Sequence, residues 1–278
     1  MKENLGKLYY KDYFFNIKYD KDSEDDKAEI KRKNEKLTEA SLFVINNECN
    51  NSEQCISVKI QYPGLVTGVG INHEAKIEGE FKLGVHFDYT YGMPVIYGSS
   101  VKGLLRSAFP QSTSEINKEK NQAKHIKKEK IREAKTEFFK DYLKEIGVDF
   151  NAIDIDELRD EIFEGKKKNK EGYMKSVSIY KRDIFFDAVI IAPNEKKRIL
   201  ESDSITPHIK KGKSYEESML KNPVPLTFLK IASGVTMEFR FSLKDGIIKA
   251  SQKRDLFKKI LLDLGIGAKT NVGYGQFQ

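Results

Sequence analysis

Tryptophan is absent from the 278 residues, and there are only two cysteines, seven prolines and four histidines. Cys49 and Cys55 are too few for a disulfide framework, and their spacing lacks the paired ligands of a zinc site. A cytoplasmic setting is therefore expected. No apolar run approaches the roughly 20 residues needed to cross a bilayer, so no membrane partner is expected. The opening stretch MKENLGKLYYKDYFF has no continuous apolar core, which argues against a secretory signal. Seventeen Phe and thirteen Tyr stand in for the missing indoles, and 39% hydrophobic residues suffice for a core. The net charge of +7 admits a polyanionic partner without demanding one; a globular protein with a charged surface fits equally well.

Along the chain, residues 1–19 interleave aromatics with lysines, and residues 20–26 are almost all charged. A helical stretch follows at 27–46, in which Ile30, Leu37 and Phe43 are too sparse for a buried helix. Residues 1–55 thus read as an N-terminal arm lying on the surface. Strict alternation over 56–62 predicts a half-buried strand. Strand-like segments continue over 81–91. Next comes a short helix, capped by Ser99 or Ser100, with Val101, Leu104, Leu105 and Ala108 on one face. Residues 111–175 differ in texture: a lysine-rich helix near 115–146, an acidic segment at 154–164, then Lys166, Lys167, Lys168 and Lys170. They read as a helical insertion within a domain spanning 56–278. Strand character returns at 185–191 and 235–243. Ser251 is the expected cap of a last helix, Gly265 its stop, and 272–277 a closing strand. Without the insertion the order is strand, helix, strand, strand, helix, strand. That is an α+β, ferredoxin-like (RRM-like) βαββαβ arrangement.

Two segments carry the functional signal. The first is Gly265-Ile266-Gly267-Ala268-Lys269-Thr270-Asn271-Val272-Gly273-Tyr274-Gly275. Its glycines permit positive φ and close approach of a ligand to the main chain, and successive N–H groups can form an anion-binding concavity beside Lys269. It is not a Walker sequence, because Lys-Thr follows only Gly-x-Gly-x and leads towards a strand. A plain glycine-rich hairpin accounts for the segment as well. The second is Gly98-Ser99-Ser100-Val101-Lys102-Gly103-Leu104-Leu105-Arg106, a helix N-terminus able to hold a phosphate, or simply an ordinary capped helix.

Together these segments resemble the RAMP superfamily of CRISPR-associated proteins. Tyr62–Gly70, Leu83–Tyr89, Phe186-Asp187-Ala188, Thr206-Pro207-His208 and Pro225–Leu229 occur in the order seen in the family of the sixth subunit of the type III-B Cmr effector complex. The resemblance covers residues 56–278. It implies a non-catalytic, RNA-binding subunit that caps the assembly near the 3′ end of the guide RNA. Its implied partners are the backbone subunit and the first subunit of that complex, with no cofactor or metal. The RNA-contacting residues carried over are Ser99, Ser100, Lys102, Arg106, Gly265, Gly267, Lys269, Asn271, Gly273 and Gly275, with His208 either RNA-facing or structural.

Some RAMP relatives cleave RNA, and a metal-independent endoribonuclease that processes guide precursors is the alternative. Such an enzyme needs a His general base. His125 reads as solvated, His86 as packed in a strand, and His73 as a loop residue. Asp88 and Asp187 read as buried carboxylates paired with neighbouring loops, and no cluster has metal-ligand spacing. Lys118, Lys120, Lys124, Lys127, Lys128, Lys130 and Arg132 suit either phosphate contact or a solvated helix face. A small-molecule phosphate site is the weakest reading.

Overall fold

The computed structural model describes residues 4–18, 23–41, 54–67, 69–70, 77–81, 83–169, 171–205 and 225–278. The helices are α1 (Leu5–Lys7), α2 (Glu24–Thr38), α3 (Gly98–Ala108), α4 (Thr113–Asn117), α5 (Gln122–Glu145), α6 (Ile155–Arg159) and α7 (Ala250–Leu264). The strands are β1 (Gln54–Lys59), β2 (Val69–Gly70), β3 (Leu83–Gly84), β4 (His86–Phe87), β5 (Pro94–Ile96), β6 (Lys166–Lys168), β7 (Met174–Ser176), β8 (Ile184–Phe185), β9 (Ala188–Ala192), β10 (Leu200–Ile205), β11 (Leu226–Ile231) and β12 (Thr236–Ser242). The architecture is mixed α and β.

A central antiparallel sheet runs β1-β12-β9-β5-β4, with β8 also pairing with β12. Its alternation is plain in β12, where Met237, Phe239 and Phe241 are buried and Thr236, Glu238, Arg240 and Ser242 are half-exposed. Beyond β1 the chain end pairs back: Lys59 and Gln278 exchange two backbone hydrogen bonds of 2.9 Å, and Ile60 bridges Phe277. A second sheet runs β10-β11-β3-β2, in which β11 and β3 are parallel. A β6–β7 hairpin stands apart.

Helix α7 lays Leu256, Phe257, Ile260 and Leu261 into the core, a stripe at the helical period. Phe257 meets Phe241 at 5.3 Å and Phe185 at 5.8 Å. Each such side chain, fully withdrawn from water, contributes about 1.5–3 kcal/mol. Leu264 of the predicted stripe is exposed instead.

The N-terminal segment lies deeper than its sparse apolar residues suggest. Tyr9, Tyr13, Ile30 and Leu37 are fully buried in the main hydrophobic cluster. Between Ile30 and Leu37, Lys33 fills the gap with its aliphatic stem, and its ammonium donates to the carbonyls of Tyr13 and Phe15. Residues 111–175 join the same cluster through Phe139, Leu143, Leu158, Ile162 and Phe163. Lys253 of α7 is 1% exposed, 3.0 Å from Glu161 and 2.8 Å from Asp183, and donates to the Lys244 carbonyl. This buried charge cluster joins α7, the segment after α6 and the approach to β8. Burial, above all, pushes the Asp183 carboxyl upward, against the pull of Lys253.

Several local expectations give way. Ser99 and Ser100 do not cap α3: Tyr97 is the N-cap residue, and the first amide, of Gly98, donates to Asp187 Oδ1 at 2.7 Å. The cap comes from a carboxylate in the link between β8 and β9, which no local sequence window displays. Ser251 likewise lies inside α7, whose N-cap is Lys249, with Gln252 accepting from the Lys249 amide at 3.0 Å. Residues 272–277 form no strand; Thr270–Val272 is a 3-10 turn, and only Phe277 bridges. The lysine-rich helix breaks at Lys118 into α4 and α5. Cys55, in β1, is disulfide-bonded, although two cysteines are too few for a disulfide framework.

Candidate nucleic-acid interface

The glycine segment begins where α7 stops. Gly265 takes φ 64°, and the chain turns back on itself, with the Ile266 amide donating to the Gly275 carbonyl at 2.9 Å. Ala268 donates to Val66 at 2.6 Å and Gly275 to Gly64 at 2.8 Å, which pins the loop to the 63–66 turn. These approaches explain the glycines. A Cβ on Gly275 would lie 1.9 Å from the Ile266 carbonyl oxygen, and one on Gly267 would lie 2.4 Å from that of Val66. Gly265 and Gly275 are buried and face protein, so their role is to close the loop. Gly273 is less constrained, with only Pro63 within reach at 3.5 Å.

What the loop leaves open is narrower than its glycines suggest. Among its amides, those of Gly267, Lys269, Thr270 and Asn271 have no acceptor among the described residues. Three are consecutive, and they start at a left-handed residue, Lys269, with φ 63° and ψ 28°. Successive N–H groups in such a conformation form an anion-binding concavity. A non-glycine residue held there costs about 1–2 kcal/mol. The Lys269 side chain is half-exposed and makes no ion pair with a described residue. Asn271 beside it is exposed.

Below the loop, Tyr274 donates its hydroxyl to Asp203 Oδ2 at 2.9 Å, and Lys230 reaches the same oxygen at 2.7 Å. Burial, together with the Asp203 carboxylate, pushes the Tyr274 hydroxyl up to about 12. Burial alone would raise Asp203, yet the bonds from Lys230, Ser204 and Tyr274 hold it below the ordinary carboxylate range. The cluster braces the loop against β10 and β11.

On α3, Ser99 and Ser100 are exposed on the first turn. Lys102 places its ammonium 5.8 Å from the centre of the Phe185 ring. Arg106 pairs with Glu164 at 2.7 Å and with Glu115 at 3.7 Å, so a phosphate would have to displace those carboxylates. Gly103 is exposed, with open space where a Cβ would stand.

The two segments meet at one cavity of about 240 Å³, lined by Thr67, His86, Ile96, Ser100, Leu104, Ile266 and Gly267. Ser100 and Gly267 are thus brought together; Lys102, Arg106 and the buried glycines do not line it. His86 and Thr67 are additions. A packed strand residue is expected at His86, but it is half-buried, and its ring lies against Tyr97 with centroids 4.5 Å apart. Burial lowers its pKa, which keeps the imidazole neutral at pH 7. The Thr67 hydroxyl accepts the His86 amide at 3.0 Å and donates to the Gly84 carbonyl at 3.3 Å. Both lie in the family-matched segments Tyr62–Gly70 and Leu83–Tyr89, but nothing in those segments marks them as cavity residues; the pairing of β4 with β5 and the 63–66 turn bring them together.

Of the remaining candidates, His208 and His73 lie outside the described residues. His125 pairs with Glu129 on the surface of α5. Asp88 accepts from the amides of Thr90 and Tyr91 in a local turn. Asp187 is exposed rather than buried, and its partner is the α3 terminus. Among the described residues no group of three or more His, Cys, Asp and Glu side chains could hold a metal.

Residues 57–278 match the RAMP superfamily. Over 239 residues the chain is 30% identical to the CRISPR system Cmr subunit Cmr6 of Pyrococcus furiosus, covering 76% of this chain and 64% of that protein. It therefore spans less than two thirds of that curated relative. Among solved structures, a chain of the cryo-EM structure of the Type III-B Cmr-beta bound to cognate target RNA is similar with a TM-score of 0.52 and 19% identity. That alignment covers 96% of this chain and 78% of the other. The crystal structure of Cmr6 from Pyrococcus furiosus aligns over 82% of this chain and 98% of its own, with 25% identity and a TM-score of 0.41. With four fifths of its length matched, and both signature segments inside the match, the chain belongs to the RAMP superfamily.

Proposed function

We propose that this chain is an RNA-binding subunit of a type III-B CRISPR effector complex, holding guide RNA and performing no chemistry itself. The carrying observation is that Ser100 of α3 and Gly267 of the glycine loop line one cavity, beside the open amides of residues 269–271. Family membership and the similarity to a Cmr subunit support the assembly. A capping position near the 3′ end of the guide, against the backbone subunit and the first subunit, is the finer form of this reading. The antiparallel order of the chain end, β1, β12 and β9 supports reading the central sheet as ferredoxin-like, with β5, β4 and β8 added.

Titration of a short RNA with the Lys102→Ala/Lys269→Ala double variant tests the site. Affinity should fall, and the salt dependence should flatten by about one ion per lost phosphate contact. Unchanged affinity in a folded variant would refute the placement. The second reading, a metal-independent endoribonuclease, draws on His86, the one histidine of the cavity. Labelled repeat RNA, incubated with EDTA and separately with Mg²⁺ or Mn²⁺, separates the two. Specific cleavage lost in His86→Ala would establish the enzyme.

A further inference from the structure

The cavity between β4, α3 and the glycine loop differs in chemistry from the amides beside it. No lysine or arginine lines it. The nearest cations of α3 are engaged elsewhere, Lys102 over Phe185 and Arg106 with Glu164. An anion seated there would lose its hydration without gaining a counter-charge, a strongly unfavourable exchange.

The lining suits a flat, uncharged ring. His86 brings an aromatic ring to the lining, and that ring packs against Tyr97 with centroids 4.5 Å apart and planes tilted by 40°. Ile96, Leu104 and Ile266 supply apolar contact, and Ser100 and Gly267 add a hydroxyl and a backbone amide to the lining residues. Neither of those two groups is bonded to a described residue, whereas the Thr67 hydroxyl is already committed to His86 and Gly84. At about 240 Å³ the space falls below the roughly 300–1,000 Å³ of pockets for drug-sized ligands, and fits a single ring system. Nucleic-acid-binding proteins hold unstacked bases in this manner, with stacking on a side chain and hydrogen bonds to the base edge.

We propose that this cavity receives one unstacked nucleobase of the bound RNA, laid against the His86 ring and met at its edge by Ser100 and Gly267. The backbone next to that base then runs past the amides of Lys269, Thr270 and Asn271. The inference rests on the RNA-binding reading and sharpens it: at one position the protein senses a base, and elsewhere only the backbone.

The test is an abasic scan. Single-stranded RNAs trimmed to the footprint given by nuclease protection, each lacking the base at one successive position, are titrated with the full chain. One position should lose about tenfold in affinity, the scale of a single stacked base, and the others should change little. His86→Ala should flatten that profile, and His86→Phe, which keeps a ring, should retain it. Should His86→Ala fail to fold, Leu104→Trp fills the cavity and should flatten the profile instead. A flat scan with intact binding overturns the base pocket and leaves the RNA-binding reading standing. A profile that survives in the variants overturns the pocket too. Absence of any RNA binding overturns both.

Discussion

Lys269 occupies left-handed backbone that glycine adopts freely, in a loop that uses glycine at every other positive φ. Its side chain therefore accounts for its presence at a strained position. Lys269→Gly should raise fold stability by about 1 kcal/mol, seen in thermal unfolding, while weakening RNA binding. Asp203 gives a prediction with a definite sign. Its carboxyl is held below the ordinary range, so its stabilising contribution is present above the unfolded carboxylate pKa of about 4 and is lost as pH falls through the folded value. Asp203→Asn should cost about 1–3 kcal/mol near neutral pH, and that part of the acid dependence should vanish from denaturant titrations. Lys230 keeps Glu201 at 3.9 Å, which limits the loss.

At the level of elements, the glycines separate by what they face. Gly275→Ala forces a Cβ onto the Ile266 carbonyl and should unfold the loop or cost several kcal/mol, whereas Gly273→Ala should cost only about 1–2 kcal/mol of backbone strain. Urea denaturation of the two variants measures the difference. The strands at 54–59, 188–192 and 236–242 and the helices α3 and α7 were legible because burial there follows period 2 or the helical period. The caps were not. Asp187 terminates a helix 89 positions earlier in the chain, and such a bond leaves no local signature. Loop glycines read as room for RNA because sequence shows conformational freedom, not which atoms occupy the space. Ser100 and Gly267 were legible as candidates; His86 was not, because an isolated histidine in a short strand looks the same packed or lining a cavity.

Across the whole molecule, the buried charge of Lys253 decides how the parts depend on one another. Lys253→Met would leave Asp183 without its cation, while Glu161 keeps Lys167 at 3.1 Å, at a cost of about 3–5 kcal/mol. Because burial already raises the Asp183 carboxyl and Lys253 opposes that rise, Asp183 without the lysine binds a proton more readily folded than unfolded, and the deficit should shrink as pH is lowered towards the carboxylate range, in urea titrations at stepped pH. Residues 111–175 supply Glu161 and a share of the common core, so trimming them takes one of the two carboxylates from Lys253 as well as exposing apolar surface.

The chain end has a mechanical meaning. Ala268 is tied to Val66, Gly275 to Gly64, and Gln276 and Gln278 to Gln61 and Lys59. Tension applied to the loop by a bound strand is thus shared between the turn and the margin of the central sheet. With both anchors in place, the span of the loop is set before any ligand arrives.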